Sequence, residues 1–186
     1  MRMSSFTVRN TTYVKPEPRI ALAYNVASDL SIKASYATMN QYIHLLSNSG
    51  VGLPTDLWVP ATNKVKPQSS QQVALGIAKD FEKQNLSLTV EGYYKTMNNI
   101  IGYKEGASFL AIQDGGDGAE KISWEDNVTS GNGESYGAEF LLQRKYGKLT
   151  GWAGYTLSWT TQQFDELNNG ERFFARYDRR HDMSLV

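Results

Sequence analysis

The chain has no cysteine, so neither a disulfide framework nor thiolate chemistry is open to it. Its two histidines, His44 and His181, have no second histidine or cysteine at ligand spacing, and no metal site is expected. Basic and acidic residues balance at 19 each, without a basic block, which removes the electrostatic footprint of a nucleic-acid binder. No phosphate loop or nucleophile elbow is present. The carboxylates Glu134, Glu139, Asp165, Glu166 and Asp182 are scattered over loops and strand starts, so paired acid and base work has no support, a glycosidase included. Neither an enzyme nor a cofactor is expected. The single run Asp114, Gly115, Gly116, Asp117, Gly118 lacks the repetition of a calcium-binding β-roll and reads as a flexible loop. Residues 1–10 have no apolar stretch of the kind a signal peptide needs, so an export signal would lie upstream. No run reaches the roughly 20 apolar residues of a membrane helix, but a barrel strand dilutes its hydrophobicity by alternating and is untouched by that absence.

Alternation is what the chain has in quantity. In 72–85, Val73, Leu75, Ile77, Lys79 and Phe81 share one face, and from Leu86 the set Leu86, Leu88, Val90 and Tyr94 does the same. A two-residue turn at Lys83 and Gln84 sets Ile77 opposite Val90, Leu75 opposite Gly92 and Val73 opposite Tyr94. A one-residue slip would turn one set to the other side. A second pair places Ile20, Leu22, Tyr24 and Val26 against Tyr36, Ala34, Ile32 and Leu30 across the turn Ala27, Ser28, Asp29. A third places Tyr136, Ala138, Phe140 and Leu142 against Leu157, Tyr155, Ala153 and Gly151 around Tyr146 and Gly147. Such short turns select antiparallel hairpins. A seventh strand begins near His181, and the chain stops at Val186 before that strand finds a partner.

Alternation fits a soluble β-sandwich as well as a membrane barrel. Two features favour the barrel. The runs 30–44, 71–81 with 86–97, and 149–164 exceed the five or six residues usual in soluble sheets and supply the roughly 9 to 11 that a tilted membrane strand needs. Short turns and long polar segments also alternate along the chain, which is the asymmetry of outer-membrane barrels. About seven such strands would leave two open edges, costly in lipid and sticky in water. The expected fold is therefore all-β: an antiparallel up-and-down transmembrane barrel segment, with residues 1–186 as a partial barrel domain.

The residues Lys15, Pro16, Glu17, Pro18 and Arg19 lead into the first strand. They are followed by 34–46 (ASYATMNQYIHLL), 54–60 (PTDLWVP), Lys66, Pro67, Gln68, and 90–97 (VEGYYKTM), then by Tyr136, Gly137, Ala138 and Glu139 and by 177–182 (YDRRHD). In this order the set resembles the C-terminal barrel of TonB-dependent outer-membrane receptors of the Bacteroidetes type, over essentially the whole chain. The resemblance implies a barrel of about 22 strands closed by an N-terminal plug. It implies import of a nutrient across the bacterial outer membrane, driven by TonB through an N-terminal region that this sequence lacks, as it lacks the plug and the other strands. The partners implied are outer-membrane lipid, the rest of the same receptor and a capping surface lipoprotein. The alternative is a soluble all-β module binding carbohydrate or protein.

On the barrel reading, Ile20, Leu22, Ile32, Leu75, Ile77, Leu88, Val90, Phe140 and Leu142 meet acyl chains. Lys33, Ser35, Ser87, Thr89, Glu91, Glu139, Gln143, Thr156 and Ser158 line the lumen or touch the plug. Lys79 and Arg144 lie on the apolar face near the short turns, where they can snorkel. Tyr24, Tyr36, Tyr94, Tyr136, Tyr155 and Trp159 fit interfacial girdles, or else are ordinary packed strand aromatics. The long segments 47–70, 98–134 and 161–180 would carry recognition. Their aromatics Trp58, Tyr103, Trp124 and Phe164 are the candidate ligand-binding residues, against the plainer reading that they pack the loops. Arg179, Arg180, His181 and Asp182 are expected to tether a loop base through charge-assisted hydrogen bonds.

Overall fold

The structure is a computed structural model that describes residues 2–8, 10–47, 56–105, 107 and 123–186. Among these residues there is no α-helix. The strands are β1 (Arg2–Val8), β2 (Thr11–Glu17), β3 (Arg19–Ala27), β4 (Leu30–Gln41), β5 (Ile43–Ser47), β6 (Asp56–Pro60), β7 (Gln68–Phe81), β8 (Leu86–Tyr103), β9 (Val128–Arg144), β10 (Gly151–Phe164), β11 (Phe173–Phe174) and β12 (His181–Leu185). One curved wall runs β3, β4, β7, β8, β9, β10, every neighbour antiparallel, with β11 and β12 both paired to the far side of β10. The seventh strand thus has its partner: Met183 lies opposite Tyr155 and Leu185 opposite Ala153. Hairpins β1–β2 and β5–β6 form two separate small sheets.

The central hairpin has the expected register, with Val73 on Tyr94, Leu75 on Gly92 and Ile77 on Val90. Its turn is longer than two residues. A 3-10 turn spans Glu82–Gln84 and closes on Asn85, which takes a left-handed φ of 54° that Asn tolerates. In β3–β4, Ile20, Leu22 and Tyr24 meet Tyr36, Ala34 and Ile32 as expected, but a bulge after Asn25 sets Ala27, not Val26, opposite Leu30. The turn shortens to Ser28 and Asp29. The β9–β10 hairpin departs by two residues: Leu142 faces Ala153, Phe140 faces Tyr155 and Tyr136 faces Trp159, because the turn takes six residues, 145–150. A two-residue shift keeps every side chain on its own face, so the pattern of faces is the same in the expected and the observed register.

Across the wall these registers align into rows. One reads Ile20, Tyr36, Val73, Tyr94, Tyr136, Trp159. Four residues toward the short turns another reads Tyr24, Ile32, Ile77, Val90, Phe140, Tyr155, Met183. A bottom row joins Phe81, Leu86, Arg144 and Gly151. Tyr136 and Arg144, in the outer rows, are eight residues apart along β9, roughly 27 Å of strand, which at barrel tilt covers about 20 Å of a membrane band of about 25 Å. The apolar side chains on this face stay uncovered: Leu22 is 69% exposed, Leu75 62% and Ile77 51%. Among the described residues no second sheet lies on them, so the face has no sandwich partner. Four of the six girdle aromatics, Tyr36, Tyr94, Tyr136 and Trp159, sit in the upper row, Tyr136 stacked on Trp159 with centroids 5.4 Å apart. Tyr24 and Tyr155 instead lie inside the band, because register and not residue type sets their height. The Tyr155 hydroxyl is satisfied there by Nδ1 of His181 at 2.8 Å.

The ends of the band are pinned by charge. Lys79 pairs with Asp29 in the neighbouring turn instead of only snorkelling. At the upper edge the segment 175–180 bulges out between β11 and β12. Oδ1 of Asp178 accepts the Thr160 N–H at 2.7 Å and its Oδ2 meets Arg180 at 3.3 Å, while Arg179 pairs with Asp182 at 3.6 Å. The Arg180 guanidinium also lies 5.3 Å above Trp159 and 4.8 Å from Phe174, a cation held between two rings.

In the complete protein, Leu75→Arg is expected to cost about 2 to 4 kcal/mol, and Ser35→Arg, on the opposite face of the neighbouring strand, much less. Denaturant titration of the protein folded into lipid vesicles checks this; equal costs would mean that the two faces do not see different solvents.

Candidate functional site at the long-loop end

The wall continues past the aromatic row, and the packed core of the chain lies there, not between sheets. One cluster joins Leu46, Val59, Val65 and Val128, with Leu57, Ile101, Tyr103 and Trp124 against it; a second joins Met97, Ile100 and Phe164, with Leu167 and Phe173. Tyr103, at the end of β8, and Trp124, in a 3-10 turn ahead of β9, therefore meet in the first cluster. Burial raises the Tyr103 phenol above its usual pKa. Phe164 is 3% exposed in the second cluster, stacked on Phe173 at 6.1 Å. Trp58 alone of the four candidates faces out, 63% exposed on β6 opposite Leu45. Phe109 and the run 114–118 lie outside the described residues. The segment 47–70 holds β6, which sequence reasoning missed: with only five residues per strand, the β5–β6 alternation was too short to stand out from a loop.

His44 sits in β5 at 2% exposure, and neither ring nitrogen makes a hydrogen bond of good geometry. Burial lowers its pKa, offset only in part by the Lys66 backbone.

A second feature, also missed, is the hairpin β1–β2, which folds over the inner side of the wall. It is fastened by Tyr42: the Ser4 hydroxyl lies 2.8 Å from the Tyr42 hydroxyl, and Phe6 stacks on the Tyr42 ring at 5.3 Å. The Tyr13 hydroxyl donates to the Thr62 carbonyl at 2.6 Å. Between hairpin and wall lies a cavity of about 690 Å³ lined by Arg2, Glu17, Arg19, Asn40, Tyr42 and Lys95, among others. Glu17 is only 5% exposed, and its Oε1 accepts the Asn40 N–H at 3.1 Å. Burial pushes its pKa up, but the hydrogen bonds from Asn40 and Ser4 and the charge of Arg2 outweigh that and hold the carboxyl below its usual range. Arg19 lies 3.9 Å from its second oxygen.

Deeper along the inner face, one row carries Lys33, Gly76, Glu91, Glu139, Thr156 and Asp182. Glu91 and Glu139 stand directly opposite each other on β8 and β9. Among the described residues neither has an ion-pair partner. Directly opposed like charges destabilise a sheet, and the cation of this row is Lys33, which lines one cavity with Glu91 across the side-chain-free Gly76. The four-residue stretch 136–139 now has a physical reading. Tyr136 anchors the girdle, Ala138 fills the outer face, and Glu139 points inward. At Gly137 a Cβ would lie 2.5 Å from the Leu157 carbonyl oxygen, too close for any side chain.

Comparison with known proteins gives the family. A model described as TonB dependent receptor-like, beta-barrel matches residues 2–180. The chain belongs to that family. It is also similar to the crystal structure of the ferripyoverdine receptor of the outer membrane of Pseudomonas aeruginosa bound to ferripyoverdine, with a TM-score of 0.60 and 15% identity over 98% of this chain. That likeness shows the fold, and the chain spans only 22% of the solved receptor. No curated protein matches. Membership in the TonB-dependent receptor family places the chain in the bacterial outer membrane, its short turns toward the periplasm and its long loops outside the cell. The mouth cavity is then extracellular, and the row of carboxylates lies within the lumen.

Because the folded pKa of His44 is depressed, its contribution to stability is present above the ordinary value of about 6.5 and is lost as pH falls below it. Proteolysis of the β5–β6 hairpin in receptor-bearing membranes should therefore accelerate several-fold between pH 7.5 and pH 5, and His44→Leu should flatten that dependence. An unchanged pH profile in the variant would remove the imidazole from the account.

Proposed function

We propose that the chain is part of the wall and extracellular mouth of a receptor that imports a nutrient across the outer membrane, with energy delivered by TonB through an N-terminal region and plug outside this sequence. The observation that carries the reading is the two-sidedness of one sheet: an exposed apolar band under an aromatic row on one face, polar and charged rows on the other. A barrel of about 22 strands would close the two edges that β3 and β12 leave, so residues 1–186 are a partial barrel domain. The wall binds and conducts, with no catalytic role. Trp58, with Ile43 and Leu45 exposed beside it, is the loop aromatic best placed to touch a ligand or a capping surface lipoprotein. Tyr103, Trp124 and Phe164 support the loops that present it. The Bacteroidetes type of receptor remains the subfamily that the motifs favour.

The plug, in this reading, supplies the cations that Glu91 and Glu139 lack. Replacing Glu91 by lysine would set a like charge against the plug's cation, a repulsion that on this reading exceeds the gain from the new pairing of that lysine with Glu139 across the strands. Glu91→Lys should lower the melting temperature of the whole receptor and make cells leaky to a bulky antibiotic, with Glu91→Gln milder on both counts. Import is tested by uptake of the nutrient with TonB present or deleted: uptake that survives deletion and a protonophore contradicts an energy-coupled receptor.

A further inference from the structure

The mouth cavity differs in charge from the lumen beneath it. Its walls bring Arg2 from β1, Arg19 from β3 and Lys95 from β8 to one space, against the single carboxylate of Glu17. That carboxylate is shared among the Asn40 N–H, Arg19 and the nearby charge of Arg2, and it balances only one of the three cations. Among the described residues neither Arg2 nor Lys95 has an ion-pair partner. Lys95 is half-buried on the inner face, opposite Gln72 and Ser135, so its ammonium points into the cavity and cannot reach the outer lipid surface. Three cations against one carboxylate leave a net positive charge in a space large enough for a small metabolite, with Arg2 and Lys95 on opposite walls, and that is an electrostatic focus for negative charge.

We propose that this cavity is the receptor's external docking site for an anionic group, a carboxylate or phosphate of the imported molecule, held between Arg2 of the hairpin and Lys95 of the wall. The inference rests on the import reading and narrows its substrate to an acidic one. The hairpin is tied to the wall through Tyr42, Tyr13, the Asn40–Glu17 hydrogen bond and its own continuation into β3, so Arg2 and Lys95 are carried by separate elements. A guanidinium takes a planar anion with two hydrogen bonds where an ammonium offers a point charge, so the two residues have separable roles.

The test uses the full-length receptor purified in detergent, with citrate and inorganic pyrophosphate as anionic probes and maltohexaose as the uncharged control, measured by calorimetry at low and high salt. At least one anion should bind, more weakly at high salt, and maltohexaose should not. Lys95→Gln and Arg2→Gln should each weaken anion binding about tenfold, as loss of one charge-assisted contact does, and Lys95→Arg should restore most of it in the same folded barrel. Binding of neither anion, or binding indifferent to both Gln variants, overturns the proposal. Uptake separates the two readings: TonB-dependent uptake of an uncharged nutrient, unaffected by Lys95→Gln, overturns the anionic site and leaves import standing. Anion binding with no energised uptake does the reverse.

Discussion

Backbone amides have no water to turn to in hydrocarbon, and the rest of this structure follows from that. Each N–H and C=O in the band must be met by the adjacent strand, which forces long antiparallel neighbours and forbids a gap between Arg19 and Leu185. Once the strands are so bound, side chains alternate strictly, and every residue is committed to lipid or lumen by its parity alone. The bulge after Asn25 is tolerated because it falls at the last turn of the band, where water is again within reach.

Above the aromatic row that constraint lifts, and the architecture changes at the same level. Strands β8 and β9 lengthen beyond the bilayer, the small hairpins β1–β2 and β5–β6 appear, and apolar side chains begin to pack on one another. The hydrophobic effect acts where water is present, so the buried clusters of this chain belong outside the membrane, while its most apolar wall is uncovered. Recognition accordingly has a rigid base. Val128, Leu46 and Trp124 fix the loops, and the cavity forms where the β1–β2 hairpin leans back over strands that the membrane already holds straight.

The parts legible in the sequence are those governed by parity. Facing residues such as Ile77 and Val90 could be paired by alternation, and the error of two residues at Tyr136 left both faces intact, because only an odd slip is penalised by the solvent. Turn lengths were less legible. The loop 145–150 and the 3-10 turn before Asn85 depend on backbone geometry that Gly147 and Asn85 permit but do not dictate. The mouth was not legible at all. Its cations come from residues 2, 19 and 95, brought together only by the order of strands and by Tyr42, a residue that reads in sequence as one more strand aromatic. Of the loop aromatics, Tyr103, Trp124 and Phe164 pack into the clusters at the base of the loops, a contact that position in the sequence does not reveal.

The central claim, that one face of this sheet meets hydrocarbon and the other does not, is open to a direct measurement. Nitroxide labels placed one at a time at residues 73–78 of the receptor in lipid vesicles report collisions with oxygen, which dissolves in lipid, and with a water-soluble nickel chelate. The account predicts a period of two, with labels at Val73, Leu75 and Ile77 reached by oxygen and those at Ala74, Gly76 and Ala78 not. Labels at Leu75 and Ile77 shielded from both agents would place the apolar face inside protein and contradict it.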